Sequence, residues 1–171
     1  GDAKGVVVTS SGELRLSREL KAWTVEQPES SAVFALAQSK DGTVFLGTGP
    51  EGKILAVKDG KSEPFASLEN TPVIASLLVD DRGRLLVGVG GSAAKVYRFD
   101  PANKDAKPEV VLDDVESNYV WCLAQGPDGV VYAGTGPHGK LFSLPADGKA
   151  EELYSLKQGL SLIHISQGIV R

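Results

Sequence analysis

The stretch Asp128-Gly129-Val130-Val131-Tyr132-Ala133-Gly134-Thr135-Gly136-Pro137-His138-Gly139-Lys140-Leu141-Phe142-Ser143-Leu144 decides the fold, because the chain carries it three times. An earlier copy runs from Asp41 through Gly42, Val44, Phe45, Gly47, Thr48, Gly49, Pro50, Gly52 and Lys53 to Ile54. A middle copy runs from Gly83 through Gly88, Gly90 and Gly91 to Lys95 and Val96. The leading glycines, Gly42, Gly83 and Gly129, are offset by 41 and 46 residues. A step of roughly 40 to 45 residues holds four short strands and their turns.

Each copy is preceded by a short apolar run: Val33 to Ala37, Val73 to Val79, and Tyr119 to Ala124. Runs of this length, rich in β-branched or aromatic residues and bounded by turn residues, read as strands buried on both sides. They are strand A, the innermost of each four-stranded unit. The turns Lys40-Asp41-Gly42, Asp81-Arg82-Gly83 and Pro127-Asp128-Gly129 follow, where glycine supplies the positive φ of a tight hairpin. Strand B is then expected over 43–47, 84–88 and 130–134, and strand C over 53–57, 95–99 and 140–144. Strand D is expected over 63–68, 109–112 and 151–156, and the Gly47-Thr48-Gly49-Pro50-Glu51-Gly52 segment with its counterparts becomes the loop between B and C.

This is an all-β reading, a β-propeller of four-stranded antiparallel blades. A β-sandwich or a closed barrel also has many short strands, but neither repeats a whole four-strand unit with its loop chemistry. A propeller does, because each blade buries its faces only against its neighbours. The expected organisation is a partial blade over 1–28 and three full blades over about 29–70, 71–115 and 116–157, within a propeller region spanning 1–159. In the partial blade, the runs starting at Gly5, Glu13 and Lys21 take the places of B, C and D, so its inner strand is missing. A tail, 160–171, follows. Its segment Leu160-Ser161-Leu162-Ile163-His164-Ile165-Ser166 resembles the translated end of the transposon adapters used in sequencing libraries. That resemblance implies a non-native tail and an arc cut from a larger propeller, whose open blade edges favour self-association. The rival reading makes Leu162 to Ile165 the missing inner strand, closing a four-bladed ring.

With 42 % hydrophobic and 23 % charged residues the composition is that of an ordinary globular chain. The net charge of −4, scattered through the turns, leaves no basic stripe and argues against nucleic acid or an anionic membrane as partner. No run of about 18 apolar residues is present, so no membrane insertion is expected. The single cysteine, Cys122, sits in a strand A where a small apolar residue would serve, and it reads as packing.

Candidate chemistry is sparse. Glycines followed by Lys53 or Lys140 suggest a phosphate loop, but such a loop opens a helix, whereas here strand C follows. The lysine recurs in all three copies, as Lys53, Lys95 and Lys140, and reads as capping an exposed strand start. Asp80-Asp81 and Asp113-Asp114 lack the oxygen density that calcium needs, and two histidines, His138 and His164, are too few for zinc or an acid–base pair. No catalytic residue, cofactor or metal is assigned. Propeller geometry places the D–A and B–C loops on one face, so the candidate ligand rim is Thr48, Glu51, Glu69, Asn70, Ser92, Glu116, Ser117, Asn118, Thr135 and His138. Phe34 and Trp121 occupy equivalent strand A positions with Ile74 between them; inter-blade core is their expected role, a stacking platform for a sugar or drug-like ligand the alternative.

The segment from Tyr119-Val120-Trp121 through Asp128-Gly129 and Gly134-Thr135-Gly136-Pro137 to Phe142 resembles bacterial propellers of the WD40-like, YVTN type without the Trp-Asp signature. The resemblance extends over roughly Gly5 to Leu156 and points to large exported proteins, which implies a periplasmic or extracellular location. Its motifs specify blade structure and transfer no functional residue. Asp41 to Gly47 and Asp128 to Gly134 also look like blades of periplasmic sensor propellers, and more distantly like those of lactone-cleaving and streptogramin-inactivating propellers. The function implied is a non-catalytic binding or scaffolding module for a protein or small ligand. An extracytoplasmic ligand sensor, or part of a lactonase or lyase, is the alternative.

Overall fold

The computed structural model describes residues 6–8, 14–16, 32–103 and 107–156. β1 (Val6–Val8) and β2 (Leu14–Leu16) pair antiparallel, in the region where the partial blade is expected. The third strand expected there from Lys21, the tail 160–171 and the closing strand at Leu162 to Ile165 lie outside the described residues.

Three antiparallel four-stranded blades follow. Blade one is β3 (Ala32–Gln38), β4 (Val44–Gly49), β5 (Lys53–Lys58) and β6 (Lys61–Ser67), paired in that order. Blade two is β7 (Val73–Val79), β8 (Leu85–Gly90), β9 (Ala94–Phe99) and β10 (Glu109–Asp114). Blade three is β11 (Tyr119–Gln125), β12 (Val131–Gly136), β13 (Lys140–Leu144) and β14 (Glu151–Ser155). A single residue pair, Tyr119 with Gly90, joins blades two and three into one curled sheet. The inner strands stand side by side, β3 on β7 and β7 on β11, as strands do around a propeller axis.

The A–B turns close as the sequence requires. Gly42, Gly83 and Gly129 have φ of 88°, 81° and 81°, and their amides return to the carbonyls of Ser39, Asp80 and Gly126 at 3.0 Å each. Carboxylates tie the turns down. Asp80 Oδ1 accepts from the amides of Arg82 and Arg84 at 3.0 and 2.8 Å, while Oδ2 accepts from Arg84 Nε at 2.8 Å. These short side chains mimic a backbone turn, which explains aspartate at this place better than calcium does.

Strand B is longer than expected. It runs on through the Gly-Thr-Gly segment, because Thr48 and Gly49 pair with Val33 and Ala32, and Thr135 and Gly136 with Val120 and Tyr119. The extension needs a bulge in each inner strand, leaving Phe34, Ala75 and Trp121 without a direct partner. A bulge inserts one residue and bends its strand. It also corrects the expected equivalence: Ala75, not Ile74, corresponds to Phe34 and Trp121, while Ile74 aligns with Val33 and Val120.

Glycine in strand B is a packing requirement. A Cβ on Gly47 would lie 2.5 Å from Ile74 Cγ2, and one on Gly88 would meet Ser76 Oγ and lie 2.8 Å from Val120 Cγ1. Ile74 and Val120 come from the next blade and are wholly buried. Around these contacts two inter-blade cores form. The first sets Phe45 and Ile54 against Leu77, Leu85, Val87 and Phe99, with Phe65 edge-on to Phe45 and Phe99 at 5.0 and 5.7 Å. The second sets Leu86, Val96 and Leu112 against Val131, Ala133 and Phe142.

Gly88→Val should therefore cost about 1–3 kcal/mol, the usual range for an overpacked core. Arg82→Val, on a neighbouring exposed turn, should change stability by no more than about 0.5 kcal/mol. Urea unfolding midpoints of the two variants measure the difference; equal midpoints would remove close inter-blade seating as the reason for the glycine.

Candidate functional site

The D–A and B–C loops share one face and are bonded together there. Leu68 N donates to Gly52 O at 3.1 Å and Leu156 N to Gly139 O at 3.0 Å. In the middle blade Gly91 N donates to Asn118 O at 2.9 Å, Ala94 N to Ser117 O at 2.7 Å, and Asn118 Nδ2 returns to Gly91 O at 3.1 Å. The rim is thus a built surface of cross-braced loops.

Seven of the ten residues read from the sequence as rim residues are exposed on it: Glu51, Glu69, Asn70, Ser92, Glu116, Asn118 and His138. Three of these come together, since Glu51, Glu69 and Asn70 line one open cavity of about 360 Å³ with Pro50, Thr71 and Pro72. Asn70 sits there at φ 55°, a left-handed conformation that asparagine tolerates. Thr48, Ser117 and Thr135 do not present themselves to a ligand; they are 0 %, 0 % and 2 % exposed. The cause is the longer strand B. Thr48 Oγ1 donates to Lys53 O at 2.9 Å, and the Ser117 and Thr135 hydroxyls bond each other at 3.0 Å.

The strand C lysines are not alike. Lys53 pairs with Glu51, and Lys95 reaches Asp113 at 2.9 Å. Lys140, expected at an exposed strand start, is instead only 8 % exposed. Its Nζ lies 2.6 Å from Glu116, 3.3 Å from Asp114 and 3.4 Å from Glu152, and 5.9 Å from the Phe142 ring centroid. The bond to Glu116 and the nearby Asp114 raise its pKa above the ordinary lysine range against the opposing effect of burial. Asp114 is itself buried, and its Oδ2 has no hydrogen-bond partner among the described residues. The network clamps the D–A loop between blades two and three onto blade three.

The inner strands supply the feature that the sequence reading placed in the core. Phe34 is 59 % exposed and Trp121 43 % exposed. Trp121 stacks on Tyr119, with centroids 4.5 Å apart and planes 15° from parallel. Phe34 lies over Gly49 and Trp121 over Gly136, where a Cβ would come within 2.9 Å of Phe34 Cε2 and 2.6 Å of Trp121 Nε1. Both rings therefore lean toward the end of strand B that enters the rim. Val33 and Leu36 of the same inner strand are likewise exposed, at 53 % and 68 %, so this face of blade one is open among the described residues.

A second concavity was not anticipated. A cleft of about 700 Å³ opens at the opposite, A–B and C–D turn face, between Phe45, Phe65, Lys58 and Lys61 of blade one and Pro101 and Ala102 of blade two. At its edge Lys58 donates to Asp41 at 2.7 Å, while Ser39 and the Thr43 amide also bond the carboxylate. Lys58 foremost, then these hydrogen bonds, hold the Asp41 carboxyl well below the usual carboxylate range. Cys122 is half-buried, and burial pushes its thiol up, in keeping with packing. Among the described residues no group of three or more His, Cys, Asp or Glu is placed to hold a metal ion.

No protein-family model matches the chain, and no curated protein matches it. Solved structures do. Virginiamycin B lyase from Staphylococcus aureus is similar at TM-score 0.66 and 18 % identity over 79 % of this chain and 45 % of its own. The extracellular domain of a B. thetaiotaomicron protein assigned as a one component system is similar at TM-score 0.61 and 17 % identity, over 88 % of this chain and 21 % of that one. YCF48 bound to D1 peptide is similar at TM-score 0.56 and 17 % identity, over 83 % of this chain and 44 % of that one. The chain spans less than half the length of each of these. These are β-propeller proteins, and the likeness, at such identities, establishes the all-β propeller fold of this chain.

Removing the Lys140 ammonium should leave Asp114 buried without a counter-ion. Lys140→Met is expected to lower stability by about 3 kcal/mol at pH 7, the low end for breaking a buried pair. Because the lysine pKa is raised in the folded state, its contribution is complete below the unfolded value of about 10.4 and declines as pH climbs toward the folded value. The gap between wild type and variant, followed by urea unfolding, should therefore be constant from pH 7 to 9 and narrow above about pH 10.4.

Proposed function

We propose that this protein is a non-catalytic binding or scaffolding module that presents its loop rim, and the aromatic residues at the mouth of its inner strands, to a protein or small ligand. The observation that carries this is the cross-braced loop rim, on which Glu51, Glu69, Asn70, Asn118 and His138 stand exposed, with the Trp121 ring, 43 % exposed, at the end of the inner strand beside it. Exposed aromatic side chains are among those that anchor ligands most strongly. The loops around them supply amide and carboxylate groups for orientation.

We further propose an extracytoplasmic location, in the manner of a sensor or envelope scaffold. The likeness to an extracellular domain supports it, and no helix among the described residues is long and apolar enough to cross a membrane. A role as part of a lyase is the second reading, supported by the likeness to virginiamycin B lyase. Turnover of a cyclic ester by the intact protein would favour that reading over simple binding.

Screening the purified chain by thermal shift against soluble glycans, peptides and metabolites tests the binding function. A saturable ligand is expected whose affinity falls at least tenfold in Glu69→Arg, on the rim, and stays unchanged in Lys61→Glu, in the opposite cleft. Loss of affinity confined to Lys61→Glu, or no ligand of any class, would dismiss the rim. Fractionation of the source cells, with the protein recovered only from the cytoplasm, would dismiss the proposed location.

A further inference from the structure

Strand D of every blade carries a glutamate at the same register, opposite a strand C residue that differs between blades. Glu109 pairs with Arg98 in blade two, Glu63 with Ala56 in blade one, and Glu151 with Ser143 in blade three. Arg98 spans the boundary to blade three. Its Nη2 donates to Glu109 at 2.7 Å and its Nη1 to the Ala146 carbonyl, in the C–D turn of blade three, at 2.9 Å. Its side chain is only 12 % exposed. At the matching boundary between blades one and two no arginine stands at this register. Ala56 ends at Cβ, and the cleft of about 700 Å³ on the turn face opens there. Ala56 and Glu63 line it from blade one, Pro101 and Ala102 from the C–D turn of blade two. Pro101 stands in its turn where Ala146 stands in the next, since Phe99 and Leu144 end their strands opposite the equivalent residues Leu85 and Val131.

We infer that this cleft receives the arginine side chain of a partner polypeptide, which takes the place that Arg98 fills from within the chain at the next boundary. The fit of a guanidinium between a strand D glutamate and a C–D turn is already built once in this molecule. Glu63, unlike Glu109, has no cation paired to it among the described residues. Phe45 and Phe65 give the cleft an aromatic wall, which suits a planar guanidinium and its methylene stem. Two of the lysines at its edge are already engaged: Lys40 donates to the Asp81 carbonyl at 2.9 Å and Lys58 to Asp41 at 2.7 Å. The other charged residues lining it, Asp59, Lys61 and Glu63, are two carboxylates to one ammonium, a balance that favours a cationic ligand. An open cleft of this volume holds more than one side chain, so it leaves room for the backbone on either side of the arginine. The site lies on the face opposite the rim and works independently of it.

The decisive variant is Ala56→Arg. It places in blade one the residue that blade two carries at the same register, so it fills the cleft from within, and its urea midpoint should match or exceed that of the wild type. Glu63→Gln removes the charge while keeping the side chain's shape. The isotope-labelled intact chain is titrated with a short capped peptide carrying one central arginine, with its lysine counterpart and with agmatine, and the backbone amide signals are followed by NMR. The arginine peptide is expected to give saturable shifts centred on Ala56, Glu63 and Ala102. Its affinity should fall at least tenfold in Ala56→Arg and in Glu63→Gln, and stay unchanged in Glu69→Arg on the rim. The lysine peptide, which lacks the planar fork, and agmatine, which lacks the flanking backbone, should each bind at least tenfold more weakly. Binding that survives Ala56→Arg or Glu63→Gln, or a lysine peptide bound as tightly as the arginine one, would overturn the guanidinium assignment. Agmatine bound as tightly as the peptide would overturn the polypeptide occupant in favour of a free guanidino compound. No binding by any of the three probes would overturn the site, and every one of these outcomes leaves the rim to its own screen.

Discussion

The structure depends on one contact made twice: a branched side chain of one blade's inner strand seated against a glycine in strand B of the blade before it. Ile74 sits on Gly47 and Val120 on Gly88, each wholly buried. Full burial of such a side chain contributes about 1.5–3 kcal/mol, and the same glycine lets the two backbones approach closely enough for the flanking cores to interlock. Phe45, Ile54 and Phe65 then meet Leu85, Val87 and Phe99 on one side of blade two, and Leu86, Val96 and Leu112 meet Val131, Ala133 and Phe142 on the other. Without the glycines the blades would stand apart and the loops would lose their common face.

The seating has a second consequence, because it draws the inner strands together and forces register adjustments along them. Strand B outlasts the regular part of strand A, and the mismatch is absorbed by one bulge in each inner strand. In blade two the bulged residue is Ala75, whereas in the flanking blades it is an exposed aromatic residue, Phe34 or Trp121. The rim is rigid for a related reason. The extended strand B buries Thr48 and Thr135 as hydrogen-bonding links, and the D–A loops are held by Asn118 and by the Lys140 ion pairs. Loops free to vary in sequence are thus mounted on a frame that is not free to move.

The fold was largely legible in residues 32–155. The spacing of the leading glycines, the apolar runs before them and the aspartate–glycine turns place all twelve strands of the three blades to within a few residues, since each signal is local. The candidate site was legible in part. Glu51, Glu69 and Asn70 were assigned to one face by topology and share one cavity. Thr48 and Thr135 were misplaced because a Gly-Thr-Gly-Pro segment has the composition of a loop, while hydrogen bonding to the inner strand decides that it is strand; Ser117, in the D–A loop, is buried with them through its hydroxyl bond to Thr135. Lys140 was misread for a similar reason: its sequence neighbours are polar, and the carboxylates that bury it, Asp114 and Glu116, lie more than twenty residues away.

Taken by itself, the sequence determined the repeat: four strands per unit, tight glycine turns, and two apolar faces per blade that only a neighbouring blade of the same kind can cover. Period and turn chemistry are local properties, so they can be read from the chain without coordinates. Tertiary structure alone decided which side chains face water. Whether Ala75 or Ile74 stands between the aromatic residues turns on a one-residue bulge, and whether a lysine caps a strand or lies buried among carboxylates turns on side chains that arrive from another blade. Such a bulge is a shift in pairing register between strands A and B of one blade, and no local pattern of polar and apolar residues records it.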